Sequence, residues 1–124
     1  MTLPEEALLL RVFLGESDHL GGKPLHEVIV LKAREMHLAG ATVLRGVMGF
    51  GKNSRLHTTK LLRLSDDLPI VVEIVDTEAK IQTLLPWLES VVQEGMVTLE
   101  KVRVLRYVGR ESESRDGESS GGPR

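Results

Sequence analysis

The stretch "LPIVVEIVDTEAKIQTLLPWLESVVQEGMVTLEKVRV", Leu68 to Val104, reads as strand, helix, strand. "LPIVVEIVD" is apolar at nearly every position, with Pro69 at its start, where a missing backbone donor is tolerated. Asp76 or Thr77 can cap the following helix, which carries Ile81, Leu84, Leu85, Leu88, Val91 and Val92 on one stripe and closes at Gly95. Pro86 falls inside that helix and is expected to kink or locally open it. "MVTLEKVRVLRYV", Met96 to Val108, supplies a closing strand.

The same order stands upstream. "ALLLRVFLG", Ala7 to Gly15, is apolar on both alternating faces apart from Arg11, which suits a central strand. Pro24 can open a helix through Leu25, Val28, Ile29 and Met36, with Gly40 placed for a left-handed cap. "ATVLRGVMG", Ala41 to Gly49, is a strand weakened by Gly46, where a bulge is expected. The order β-α-β-β-α-β predicts an α+β, ferredoxin-like antiparallel sheet with both helices on one face. Leu9, Phe13, Val71 and Val75 alternate away from Leu8, Leu10, Leu14, Ile70, Val72 and Ile74, so both sheet faces are substantially apolar. Two helices cover only one of them, and a second copy of the chain is the economical cover for the other. A homo-oligomer is expected.

Composition narrows the function classes. The 124 residues, 41% apolar and 27% charged, suit one soluble domain. Sixteen basic against 18 acidic side chains leave no global field for nucleic acid or an anionic membrane, so an anion site must be local. The absence of cysteine removes disulfide, thiol and thiolate-metal chemistry and fits a reducing compartment. The longest apolar run, "ALLL", is far short of a membrane span and follows Glu5 and Glu6. A cytoplasmic protein without direct membrane insertion is expected. "RESESRDGESSGGPR", residues 110–124, has no apolar side chain to offset the entropy of ordering it, so a folded domain over 1–109 and a disordered tail are expected.

"GVMGFGKN", Gly46 to Asn53, satisfies G-x-x-x-x-G-K but offers Asn53 where a P-loop needs a magnesium-binding hydroxyl. "IVVEIVD" imitates the strand that would end in the metal-binding acid, Asp76. The segment after Lys52 lacks the helix start that a P-loop requires, and Ser54 stands where a dinucleotide fingerprint needs its third glycine. Four aromatics, Phe13, Phe50, Trp87 and Tyr107, are too few for base stacking, so no nucleic-acid role is expected.

"GATVLRGVMGFGK", then "LPIVVEIVD", then "EGMVTLEKVRV" together resemble the PII signal-transduction superfamily, in particular its uncharacterised branch, domain of unknown function 190. The resemblance covers roughly Leu8 to Tyr107 and implies a trimeric ferredoxin-like regulator. In that family adenine nucleotides bind in clefts between subunits, and the loop after G-F-G carries the signal to a partner protein. Carried over residue by residue, it assigns Thr42, Gly49, Phe50 and Gly51 to the nucleotide cleft and Lys101 to phosphate contact. Lys52, at the loop base, adds positive charge. Asn53, Arg55, His57 and Lys60 fall on the partner-contact loop, 52–66, and the partner implied is a transporter, a channel or an enzyme. Thr98-Leu99-Glu100 replaces the family's small G-D-G residues. Glu100 is therefore expected to disfavour a triphosphate, which makes a monophosphate or cyclic nucleotide at least as plausible as ATP among the candidate ligands AMP, ADP, ATP and cyclic nucleotides, none covalently held.

Plainer roles compete for the same residues. The glycines serve a bulge and loop exit that need φ > 0, and the loop's basic residues are a solvated face. Glu73 on its apolar strand is expected to partner Arg11 on the neighbouring one. No nucleophile, base and orienter assemble, Ser65-Asp66-Asp67 included, and no histidine has a carboxylate at ligand spacing, so neither an enzyme nor a metal site is expected. The alternative is a ligand-independent trimeric scaffold, or a divalent-metal-tolerance protein resembling the CutA group.

Overall fold

The computed structural model describes residues 5–51 and 67–109, and the backbone of 57–58. Lys52, Asn53, Arg55, Lys60 and the segment 110–124 lie outside the described residues.

Four strands form the main sheet. They are β1 (Glu6–Gly15), β4 (Thr42–Arg45), β7 (Pro69–Asp76) and β8 (Met96–Arg103), in the spatial order β4-β7-β1-β8 with every neighbour antiparallel. Helix α1 (Leu25–Glu35) joins β1 to β4 and α2 (Glu78–Val91) joins β7 to β8. This is the ferredoxin-like arrangement, with the two most apolar strands central. Leu10, Val12 and Leu14 from β1 and Ile70, Val72 and Ile74 from β7 bury against Leu25, Ile29 and Ala33 of α1 and Ile81, Leu84 and Leu88 of α2. Both helices therefore lie on the face bearing these residues. The opposite face, with Leu9, Phe13, Val71 and Val75, has no covering element among the described residues and stays half-exposed.

The helix boundaries follow local chemistry. Thr77 caps α2 through its hydroxyl, which accepts from the Lys80 amide at 3.2 Å. The helix continues past Pro86, which costs it the donor to the Gln82 carbonyl without ending it. The end of α1 corrects the expectation for Gly40. The left-handed residue is His37, at φ 63°, and the Leu38 amide donates back to the Ala33 carbonyl at 3.0 Å.

Three further differences bear on the site. The second strand stops at Arg45. Residues Met48–Gly49, β5, leave the sheet and pair with His57–Thr58, β6. A small hairpin of β2 (His19–Leu20) and β3 (Lys23–Pro24) precedes α1, turning at Gly21 and Gly22, both with positive φ. The last strand stops at Arg103 instead of Val108, opposite Glu6 at the start of β1, and the Val104 amide makes one more bond to Glu5 O.

Candidate functional site

The loop base is built against one proline. Gly46 donates its amide to the Pro69 carbonyl at 2.7 Å. A Cβ on Gly46 would lie 2.8 Å from Pro69 Cγ, and one on Gly49 3.0 Å from the same atom. Neither glycine has positive φ, which corrects the expectation that these positions need left-handed backbone. They are glycine because the chain crosses a proline ring in van der Waals contact. Gly49 pairs with His57, Phe50 is 75% exposed, and Gly51 follows on the surface. Across the loop, Asp67 accepts from the Ser17 amide at 2.9 Å and the Leu68 carbonyl from the Glu16 amide at 2.8 Å. Asp67 therefore ties the loop's return to the turn after β1.

Thr42 opens edge strand β4, opposite Glu73, so its side chain shares the uncovered face. Lys101 stands on the other edge strand, β8, opposite Leu8, on the helix side of the sheet. The two are separated by three strand spacings, roughly 14 Å across the sheet, and by its thickness. One chain does not bring them together. Lys101 lines a groove of about 220 Å³ with Glu6, Leu8, Glu78 and Arg103. Arg103 is engaged by Glu5, through Nε at 2.8 Å.

Glu100 is not beside Lys101. Successive residues on a strand point to opposite faces, so Glu100 joins the uncovered face, where Arg11 Nη1 donates to it at 3.1 Å. Arg11 Nε donates to Glu73 at 2.9 Å, confirming the cross-strand pair read from sequence. The Glu73 hydrogen bond holds the Arg11 guanidinium above its ordinary range against the opposing pull of desolvation, and the charges of Glu73 and Glu100 add to it. This triad sits amid Leu9, Phe13, Leu44, Val71, Val75 and Met96. The expected repulsion of a triphosphate by Glu100 at the Lys101 groove does not follow from this geometry. The strand period alone carried that signal.

Asp76, the acid that imitates a metal-binding strand end, is fully buried, and both its oxygens accept backbone amides: Ala39 at 2.8 Å and Thr77 at 2.6 Å. Among the described residues no group of three or more His, Asp or Glu side chains could hold a metal ion, and no helix is long and apolar enough to cross a membrane.

A family model, DUF190, described as "Uncharacterized ACR, COG1993", matches residues 7–104. A UPF0166 protein of Aquifex aeolicus is 40% identical over 97 residues, covering 78% of this chain and 91% of the relative. A UPF0166 protein of Methanocaldococcus jannaschii is 29% identical over 102 residues, covering 82% and 94%. Among solved structures, CPII of Thiomonas intermedia K12, a nitrogen regulatory PII-like protein bound to ADP, AMP and bicarbonate, superposes with a TM-score of 0.59 at 19% identity. That match covers 82% of this chain and 90% of CPII. A DUF3240 family protein of Shewanella baltica OS155 gives 0.51 at 17% identity, covering 89% and 99%. At these identities the structural likeness is one of fold.

Proposed function

Because the chain belongs to the DUF190 family and has a PII-like fold, we propose that it is a non-enzymatic, cytoplasmic PII-like regulator. It binds a small anion or adenine nucleotide in clefts between copies of itself, as a trimer, and signals through the 52–66 loop to a partner protein such as a transporter or channel. One observation carries this reading: Thr42 lies on one edge strand of the sheet, with Gly49 to Gly51 following where the chain leaves that edge, and Lys101 lies on the other edge and face. A cleft holding both sets needs two copies, with the β4 edge of one against the β8 edge of the next. Both edges expose apolar side chains that such contact would remove from water: Val43, Leu44, Val47 and Met48 on one side, Met96, Val97 and Leu99 on the other. The binding of ADP, AMP and bicarbonate by CPII suggests the ligand class.

Calorimetric titration with AMP, ADP, ATP, cyclic AMP and bicarbonate tests the ligand. Mixing tests the cleft. Lys101→Ala should weaken binding by about 1–3 kcal/mol, the scale of a charge-assisted contact. Thr42→Ala should weaken it also. Co-refolded mixtures of the two variants should regain binding in the clefts that draw an intact Thr42 from one copy and an intact Lys101 from another. No recovery would place the site within one chain, and no binding by the unmutated protein at millimolar ligand would favour the ligand-independent scaffold.

A further inference from the structure

The connection from α1 to β4, residues 36–41, is held by three side chains from distant parts of the chain. The Ala39 amide donates to Asp76 Oδ2 at 2.8 Å, and the Ala39 carbonyl accepts from the Tyr107 hydroxyl at 2.7 Å. Lys80 Nζ donates to the Met36 carbonyl at 3.1 Å. One residue, Ala39, is thus gripped through its N–H by the end of β7 and through its C=O by the segment that follows β8.

The register gives this grip a meaning. Thr42 pairs with Glu73 and Val43 with Val72, so stepping three residues back along β4 and three forward along β7 brings Ala39 opposite Asp76. The carboxylate takes over the ladder where the backbone ladder stops. Strand β4 needs such help, since all four of its residues are exposed and, among the described residues, it pairs on one side only. Little burial fixes its register, and a slip of one residue would turn Thr42 to the other face. A buried carboxylate is a costly way to fill that place, and an apolar side chain there would leave the Ala39 and Thr77 amides unpaired.

We propose that Asp76 and Tyr107 are positioning residues for the ligand edge of the sheet, setting the register and stiffness of β4 and hence where Thr42 points. The role of Thr42 rests on the functional reading above, whereas the clamp is testable without any ligand. Tyr107→Phe removes one hydroxyl from a residue 42% exposed and leaves the ring, so the fold should survive. In the full chain, amide exchange of residues 39–45 should rise about tenfold, the equivalent of about 1.4 kcal/mol of local opening, with β1 and β7 unchanged. The melting temperature should fall by no more than a few degrees. Affinity for AMP or ADP should drop severalfold, and Asp76→Asn, which replaces one acceptor by a donor facing an amide, should act in the same direction and further. Lys32→Ala, which breaks the contact of Lys32 with the Trp87 ring at 5.6 Å between the helices, should change neither β4 exchange nor affinity. Unchanged exchange in β4, or a rise spread evenly over the sheet, would overturn the clamp. If the unmutated protein binds no nucleotide, the ligand reading fails while the exchange result still decides the clamp.

Discussion

Replacing Gly46 by alanine should destabilise the protein only while Pro69 is present. The added Cβ would meet Pro69 Cγ at 2.8 Å, against an optimum of about 3.5–4.0 Å for two carbons. The pyrrolidine ring is fused to the backbone and cannot swing aside. The Gly46 amide, bonded to the Pro69 carbonyl at 2.7 Å, holds the two segments at this distance. Overpacking of this kind costs about 1–3 kcal/mol. Because Gly46 does not have positive φ, alanine also recovers about 0.4–1 kcal/mol by restricting the unfolded chain. The net loss is about 1–2 kcal/mol, or roughly 5–10 °C in melting temperature for a domain of this size. In a Pro69→Ala background Cγ is gone and the sign should reverse, with Gly46→Ala neutral or mildly stabilising. Gly40→Ala is the control. Nothing lies within 4 Å of its Cβ and its φ is not positive, so it should raise stability by a few tenths of a kcal/mol. Urea unfolding of the four-member cycle, at one protein concentration because assembly couples to stability, measures the interaction. Equal cost in both backgrounds, or no cost in the first, would refute the contact as the reason for glycine at this position.

Two further outcomes follow from the sheet faces and the chain's end. Val71→Asp, on the uncovered face, should give a folded monomer of about 13.7 kDa by light scattering, because an unpaired carboxylate resists burial against a second copy. Val72→Asp, one residue along on the fully buried face, should instead unfold the chain, and a monomeric unmutated protein would refute the oligomer. A chain ending at Gly109 should keep its melting temperature within a few degrees, since residues 110–124 offer nothing to bury. One ending at Arg103 should lose more, together with the Tyr107 hydrogen bond to Ala39; equal melting of the two would show that this bond adds nothing.

The order of the six main elements and the division of each central strand into two faces were determined by the sequence alone, because apolar side chains repeating every second or every 3.6 residues admit one kind of backbone each, whereas the two small hairpins carry no such repeat. Arg11 opposite Glu73 was legible for the same reason: a lone cation and a lone anion on adjacent apolar strands have few other partners. Which face the helices cover was not legible, because both alternating sets are apolar and the choice depends on how the two connections cross the sheet. The glycines after β4 were legible as special and misread in cause, since the contacts of Gly46 and Gly49 with Pro69 span 23 and 20 residues of chain. Gly40 was misread as the cap of α1 because His37, of a type that enters positive φ far less readily than glycine, takes that conformation under the bond from Leu38 to Ala33. Placing Lys101 and Thr42 on opposite edges, and joining Asp76 and Tyr107 through the backbone of Ala39, required the tertiary structure. A strand's place in a sheet and a backbone carbonyl's partner are set by long-range packing, and the side chains involved carry no local pattern that distinguishes them from solvated ones.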